Sequence, residues 1–101
     1  MKKQRVWIHC RGLAESSRNL LNYQEEVLTE LADDNDLSIV GVTKSISNGK
    51  NFNSYDMKSL ITHIKRNDID LILVTSKKRI SIYDDLYEEF EMLCKVHNVL
   101  I

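Results

Sequence analysis

Ile69-Asp70-Leu71-Ile72-Leu73-Val74-Thr75 reads as the strongest β-strand in the chain, bounded by Asn67-Asp68 before it and Ser76-Lys77-Lys78-Arg79 after it. A nearly continuous apolar run of this length suits a central parallel strand covered on both faces. Working outward, residues 55–66 read as a helix with Ser54 as N-cap and Met57, Leu60, Ile61 and Ile64 as its apolar stripe. On the other side, residues 83–97 predict a helix that buries Leu86, Phe90, Leu93 and Cys94. Residues 37–42 and 5–10 read as two further strands. The helix between them, about 17–32, carries Leu20, Leu21, Gln24, Val27, Leu28 and Leu31 at helical spacing. Val99-Leu100-Ile101 looks like a fourth strand, cut close to its end.

The order β-α-β-α-β-α-β implies an α/β fold. Right-handed crossovers give three layers, α/β/α, around a mainly parallel four-stranded sheet of order 2-1-3-4. At 101 residues this is one domain, 1–101, which the last segment suggests is truncated after the fourth strand. Residues 43–54 form a polar loop with Gly49 and no apolar spacing, expected to be the least ordered internal stretch.

Composition excludes several classes. No apolar run approaches the ~18 residues of a membrane span, and Val6-Trp7-Ile8 is too short for a signal-peptide core, so a cytoplasmic location is expected with no membrane contact. Cys10 and Cys94 make neither a disulfide framework nor a zinc knuckle. His9, His63 and His97 lack metal-like spacing, so no metal and no cofactor is expected. No GxGxxG follows the first strand, and no acid pair ends it.

The net charge is −1, but the signs are segregated. Residues 24–36 hold six acids and no base, and residues 83–93 hold five acids and no base. Ligands of open parallel sheets bind beyond the carboxyl ends of the strands. The segments leaving those ends hold Arg11, Arg18, Lys44, Lys50, Lys77, Lys78 and Arg79 against one acid, Glu15. One edge of the sheet is therefore expected to be positive. Arg11, Arg18, Lys50, Lys77, Lys78 and Arg79 are the candidate phosphate or DNA contacts. Arg11 and Arg79 are expected to lie close together.

Cys10, with Gly12, Ser16 and Ser17 after it, loosely fits the loop of phosphotransferase IIB proteins, which carry a phosphorylated Cys at the end of the first strand. A phosphocysteine carrier is thus one reading. A small buried thiol packing at a strand end is the other. The low-molecular-weight tyrosine phosphatase spacing fails, because Ser16 stands where an Arg is needed.

Over nearly its whole length the chain resembles the N-terminal catalytic domain of the serine recombinases, the resolvases and invertases. His9-Cys10-Arg11 lies where the family has Tyr-x-Arg at the end of strand one, and Gln24 sits where it keeps a Gln in the first helix. Ile39-Val40-Gly41-Val42 with Ser45-Ile46-Ser47-Asn48-Gly49 resembles the second strand and its mobile loop. Arg79-Ile80-Ser81 falls at the first Arg of an Arg-Leu-Ser-Arg motif. The resemblance implies site-specific recombination of mobile-element origin. A Ser attacks a DNA phosphate there, and Arg side chains stabilise the developing charge. It assigns catalytic positions to Arg11, Gln24 and Arg79. The chain departs from the pattern elsewhere. Leu13 stands at the nucleophile, Ile82 at the second Arg, Lys78 at the preceding acid, and Ser54 at the Arg before the second helix. The expectation is a recombinase-like domain without strand cleavage. Its expected partners are DNA, bound weakly and without sequence preference, and a second copy or a recombinase partner.

Overall fold

Seven of the eight residues of β1, Arg5–Gly12, are buried, and the other strands flank it. The computed structural model describes residues 3–101. β2 (Ser38–Ile46) lies parallel to β1 on one side and β3 (Leu71–Leu73) on the other, giving the order β2-β1-β3. The first strand, not the 69–75 run, is therefore the centre of the sheet. Alternation sends Val6, Ile8 and Cys10 to one face and Trp7, His9 and Arg11 to the other. Helix α1 (Arg18–Asp34) covers the first face with Leu21 and Leu28. Helices α2 (Tyr55–Lys65) and α3 (Asp84–Val96) cover the second, where Met57, Leu60, Ile64, Phe90 and Cys94 pack with Trp7.

Among the described residues the sheet has three strands, not the expected four. The fourth segment makes only the single bridge Leu71↔Leu100. Helix α3 and its closing turn run through Asn98, which leaves three residues, too few for a ladder. β3 is shorter than the 69–75 run, although the Asp70 backbone still donates to Arg5 C=O at 2.8 Å and Asp70 also holds Arg5 through its side chain. Its carboxylate accepts from the Arg5 backbone N–H at 2.8 Å and from the Arg5 guanidinium at 3.0 and 3.1 Å.

β1 and β2 both outrun their expected ends, to Gly12 and Ile46, so Arg11 is a buried strand residue rather than part of a turn. A bulge shifts the register between Val6 and Trp7 and sets Trp7 against Gly41. A Cβ at Gly41 would stand 2.2 Å from the indole, so the tryptophan needs the missing side chain. In α1 the buried line is Leu21, Gln24, Leu28 and Ala32, while Leu20, Val27 and Leu31 are exposed. Leu86 and Leu93 of α3 are only half-buried.

All three helices stop in the same way. Asp36, Asn67 and Asn98 take positive φ of 54°, 61° and 60°, which short polar side chains tolerate best after glycine. The next N–H in each case bonds five residues back, to Ala32, His63 and Cys94. Ser54 caps α2, its hydroxyl accepting from Met57 N–H at 3.2 Å.

Candidate functional site

At the carboxyl end of β1, Gln24 holds the backbone of Arg11. The buried amide accepts from Arg11 N–H at 3.2 Å and donates to Arg11 C=O at 3.0 Å. Helix α1 is thereby pinned to the last turn of the strand. The Arg11 side chain reaches outward between two loops. One terminal nitrogen donates to Ser47 C=O at 3.0 Å, the other to Lys78 C=O at 2.7 Å. Its Nε is buried without a partner. Gly49, at φ +71°, sits over the guanidinium, where a Cβ would approach Cζ to 2.8 Å. The Gly49 carbonyl accepts from Ser81 Oγ at 3.1 Å and Ile82 N–H at 3.0 Å. Residues 47–50, expected to make few contacts, are thus latched to the loop after β3.

Arg79 joins them. Its Nε donates to Thr75 Oγ1 at 3.3 Å and a terminal nitrogen to Arg11 C=O at 3.4 Å. These long bonds to neutral acceptors leave its charge unneutralised. Burial first, then the Arg79 charge, lowers the Arg11 pKa from its ordinary value. Beneath the two arginines lies His9, fully buried. Thr43 Oγ1 accepts from Trp7 Nε1 at 3.2 Å and lies 2.6 Å from His9 Nδ1. The other ring nitrogen, Nε2, is buried without a partner. Burial pushes the His9 pKa down to about 4; the Arg11 charge adds to this and the Arg79 backbone opposes it.

A cleft of about 480 Å³ opens at this edge. Arg11, Lys50 and Arg79 line it together with Ser17 and Asn48, and Leu13, Leu20 and Ile82 form an apolar wall. Lys50 is exposed and makes no ion pair among the described residues.

No family model and no curated protein matches the chain. Solved structures do. The C-terminal catalytic domain of ISC1926 TnpA, an IS607-like serine recombinase, superposes with a TM-score of 0.90 at 24% identity, over 96% of this chain and 68% of that one. The N-terminal catalytic domain of TP901-1 integrase gives 0.83 at 19% identity, over 97% and 75%. A resolvase family site-specific recombinase from Streptococcus pneumoniae gives 0.84 at 18%, over 98% and 71%. The chain has the fold of a serine-recombinase catalytic domain. It spans about two thirds to three quarters of those three chains.

Within this recombinase fold, the sequence-derived candidates divide. Arg11, Lys50 and Arg79 share the cleft, and Gln24 lies directly behind Arg11. Arg18 is exposed at the first turn of α1 and does not line the cleft. Lys77 also lies outside it, paired with Asp84 at 3.2 Å and placed 5.8 Å above the Tyr87 ring. The side chain of Lys78 is exposed, while its carbonyl receives Arg11. Lys44 pairs with Glu25 and Asn22 on α1, so the positive edge is narrower than seven residues.

Cys10 points away from the cleft, into the core beneath α1, and burial raises its pKa to about 11. That placement gives no support to a phosphocysteine at the cleft, since a buried, protonated thiol is a poor nucleophile. Leu13 is 71% exposed at the cleft mouth. Ser17, the N-cap of α1, lines the cleft without making a side-chain cap bond. Sequence reasoning missed the Gly49–Ser81 latch, the Trp7–Thr43–His9 chain and the apolar wall. Only Asn48-Gly49 carried a signal, as a dipeptide that marks a turn with positive φ.

Among the described residues no group of three or more His, Cys, Asp or Glu gathers to hold a metal ion, and no helix is long and apolar enough to cross a membrane.

Proposed function

We propose that this chain is a recombinase-like domain that binds the DNA backbone and does not cut it. The carrying observation is the cleft itself. Lys50 and Arg79 face it as available cations, while Leu13 occupies the position at which the resemblance calls for the attacking serine. On this reading Arg79 and Lys50 hold phosphate, and Lys78 adds a contact from the rim. Arg11 and Gln24 act as positioning residues, because the Arg11 guanidinium is committed to Ser47 and Lys78 carbonyls. A covalent step needs a hydroxyl in line with the phosphate, and displacement of the reacting atom by ~1 Å already costs about 100-fold. Ser17 does not meet that need, since it follows Arg11 by six residues instead of two. Strand cleavage and sequence selection then belong to a second recombinase subunit, and the setting is cytoplasmic DNA of mobile-element origin.

The test joins two measurements. A titration against duplex DNA over a range of salt is expected to give nonspecific dissociation constants near ~10⁻⁴ to 10⁻⁶ M. Three phosphate contacts give a logarithmic salt slope of about −2.7. Denaturing gels are expected to show no protein–DNA adduct. An adduct lost in Ser17→Ala would overturn the non-cleaving part, and absence of binding at low salt would overturn the whole.

A further inference from the structure

The cleft wall is more apolar than a backbone-binding groove requires. Leu13 and Leu20 are 71% and 41% exposed, and Ile82 stands with them on the same concavity as Lys50 and Arg79. One exposed leucine on a protein surface needs no explanation. Three aliphatic side chains sharing a cleft with Arg11 and with two cations whose charge is left available, Lys50 and Arg79, describe a ligand that is anionic at one end and apolar at the other. A closed duplex does not present that combination. Its bases are stacked inward and its outer surface is sugar and phosphate. A nucleotide at an overhang or strand end presents both, and about 480 Å³ lies within the range of clefts that hold small molecules.

We propose that the cleft takes an unpaired nucleotide, its phosphate against Lys50 and Arg79 and its base over Leu13, Leu20 and Ile82. This rests on the phosphate-binding reading above and goes beyond it by naming the ligand. Nothing aromatic lines the cleft, so the base gains from burial of its face rather than from ring stacking, and the preference is blind to base identity.

The test compares four probes at low salt. These are a covalently closed dumbbell duplex, the same duplex with a 5′-phosphorylated overhang, dAMP, and inorganic phosphate. The overhang is expected to bind about tenfold tighter than the dumbbell, the factor that ~55 Å² of buried apolar area supplies. dAMP is expected to exceed inorganic phosphate by a similar factor. Leu13→Ser with Leu20→Ser, both exposed positions, is expected to bring both ratios close to one and leave the salt slope unchanged. dAMP binding as tightly as the overhang identifies a free nucleotide as the source, and overhang binding alone identifies a DNA end. Equal affinity for dumbbell and overhang together with equal affinity for dAMP and phosphate overturns this inference and leaves phosphate binding standing. So does a preference that survives the double substitution. Failure of every probe overturns both.

Discussion

Gln24 is the side chain on which the geometry of the edge most depends, and its removal has a calculable cost. It is 1% exposed and satisfies both backbone groups of Arg11, itself 6% exposed. In Gln24→Ala the Arg11 N–H loses its partner away from water, at ~1–3 kcal/mol. The Arg11 carbonyl keeps only the 3.4 Å bond from Arg79. With the cavity left by the shortened side chain, the total is about 3 kcal/mol, or roughly 12–24 °C in Tm for a domain of this size. Gln24→Glu separates the hydrogen-bond argument from mere packing. Its carboxylate accepts from Arg11 N–H but faces Arg11 C=O with no proton to give. Protonated, it restores both bonds. Burial and that carbonyl raise its folded pKa above the ~4.3 of the unfolded chain. The folded state then binds more protons between the two values, so stability relative to wild type falls as pH rises through that window. Trp7, the one tryptophan, is 7% exposed and reports unfolding in urea by its fluorescence. A Gln24→Ala variant within ~0.5 kcal/mol of wild type, or a Gln24→Glu penalty that grows on acidification, would refute the reasoning.

Three other expectations follow from buried groups. His9 is held neutral, its pKa pushed down to about 4 from 6.5. The unfolded state therefore binds the extra proton between these values, and about 3 kcal/mol of stability is lost as pH falls from above 6.5 to about 4; an imidazole that titrates near 6.5 in the folded protein by NMR would contradict this. Cys10 and Cys94, raised to about 11 and about 12 chiefly by burial, are expected to react with a thiol reagent only as fast as the chain opens; prompt labelling of Cys10 in the native protein would place it at the surface. Gly41→Ala would set a methyl 2.2 Å from the Trp7 ring and is expected to cost ~1–3 kcal/mol in urea unfolding, with no loss if the indole can move aside.

The fold was legible wherever apolar period decided the element. The helix around Met57, Leu60 and Ile64 is capped at Ser54 as its sequence implies, and the parallel order with the first strand beside the second and third is found. Strand ends were not legible. Arg11 and Lys44 read as loop residues because they are charged, yet both are paired in the ladder. The terminal nitrogens of Arg11 donate to carbonyls from loops 36 and 67 positions away in sequence, which no local pattern reveals. Which face of α1 is buried is not legible for a related reason. Leu20, Val27 and Leu31 fit a helical stripe as well as Leu21 and Leu28 do, and only the position of the sheet chooses between them. Gln24 takes a buried position because Arg11 offers its amide a donor and an acceptor at once.

The same distinction bears on the positions that the resemblance singles out. Gln24 satisfies the two buried backbone groups of Arg11, and the Arg11 guanidinium ties together the part-buried carbonyls of Ser47 and Lys78, so replacing either one leaves polar atoms without partners. Folding alone is enough to retain them. Leu13 and Ile82, by contrast, stand at the cleft, Leu13 largely exposed. A serine or an arginine there would have no structural duty, only a chemical one. On the proposed reading, Gln24 and Arg11 are kept by the fold, whereas Leu13 and Ile82 stand where only chemistry would ask for a serine and an arginine. Arg79 lies between the two groups, with weak long bonds and an available charge. Its fate on mutation separates a binding surface from a bare scaffold: Arg79→Ala removes phosphate affinity without touching the Gln24–Arg11 contacts, so a loss of DNA binding at full stability assigns the cleft a ligand.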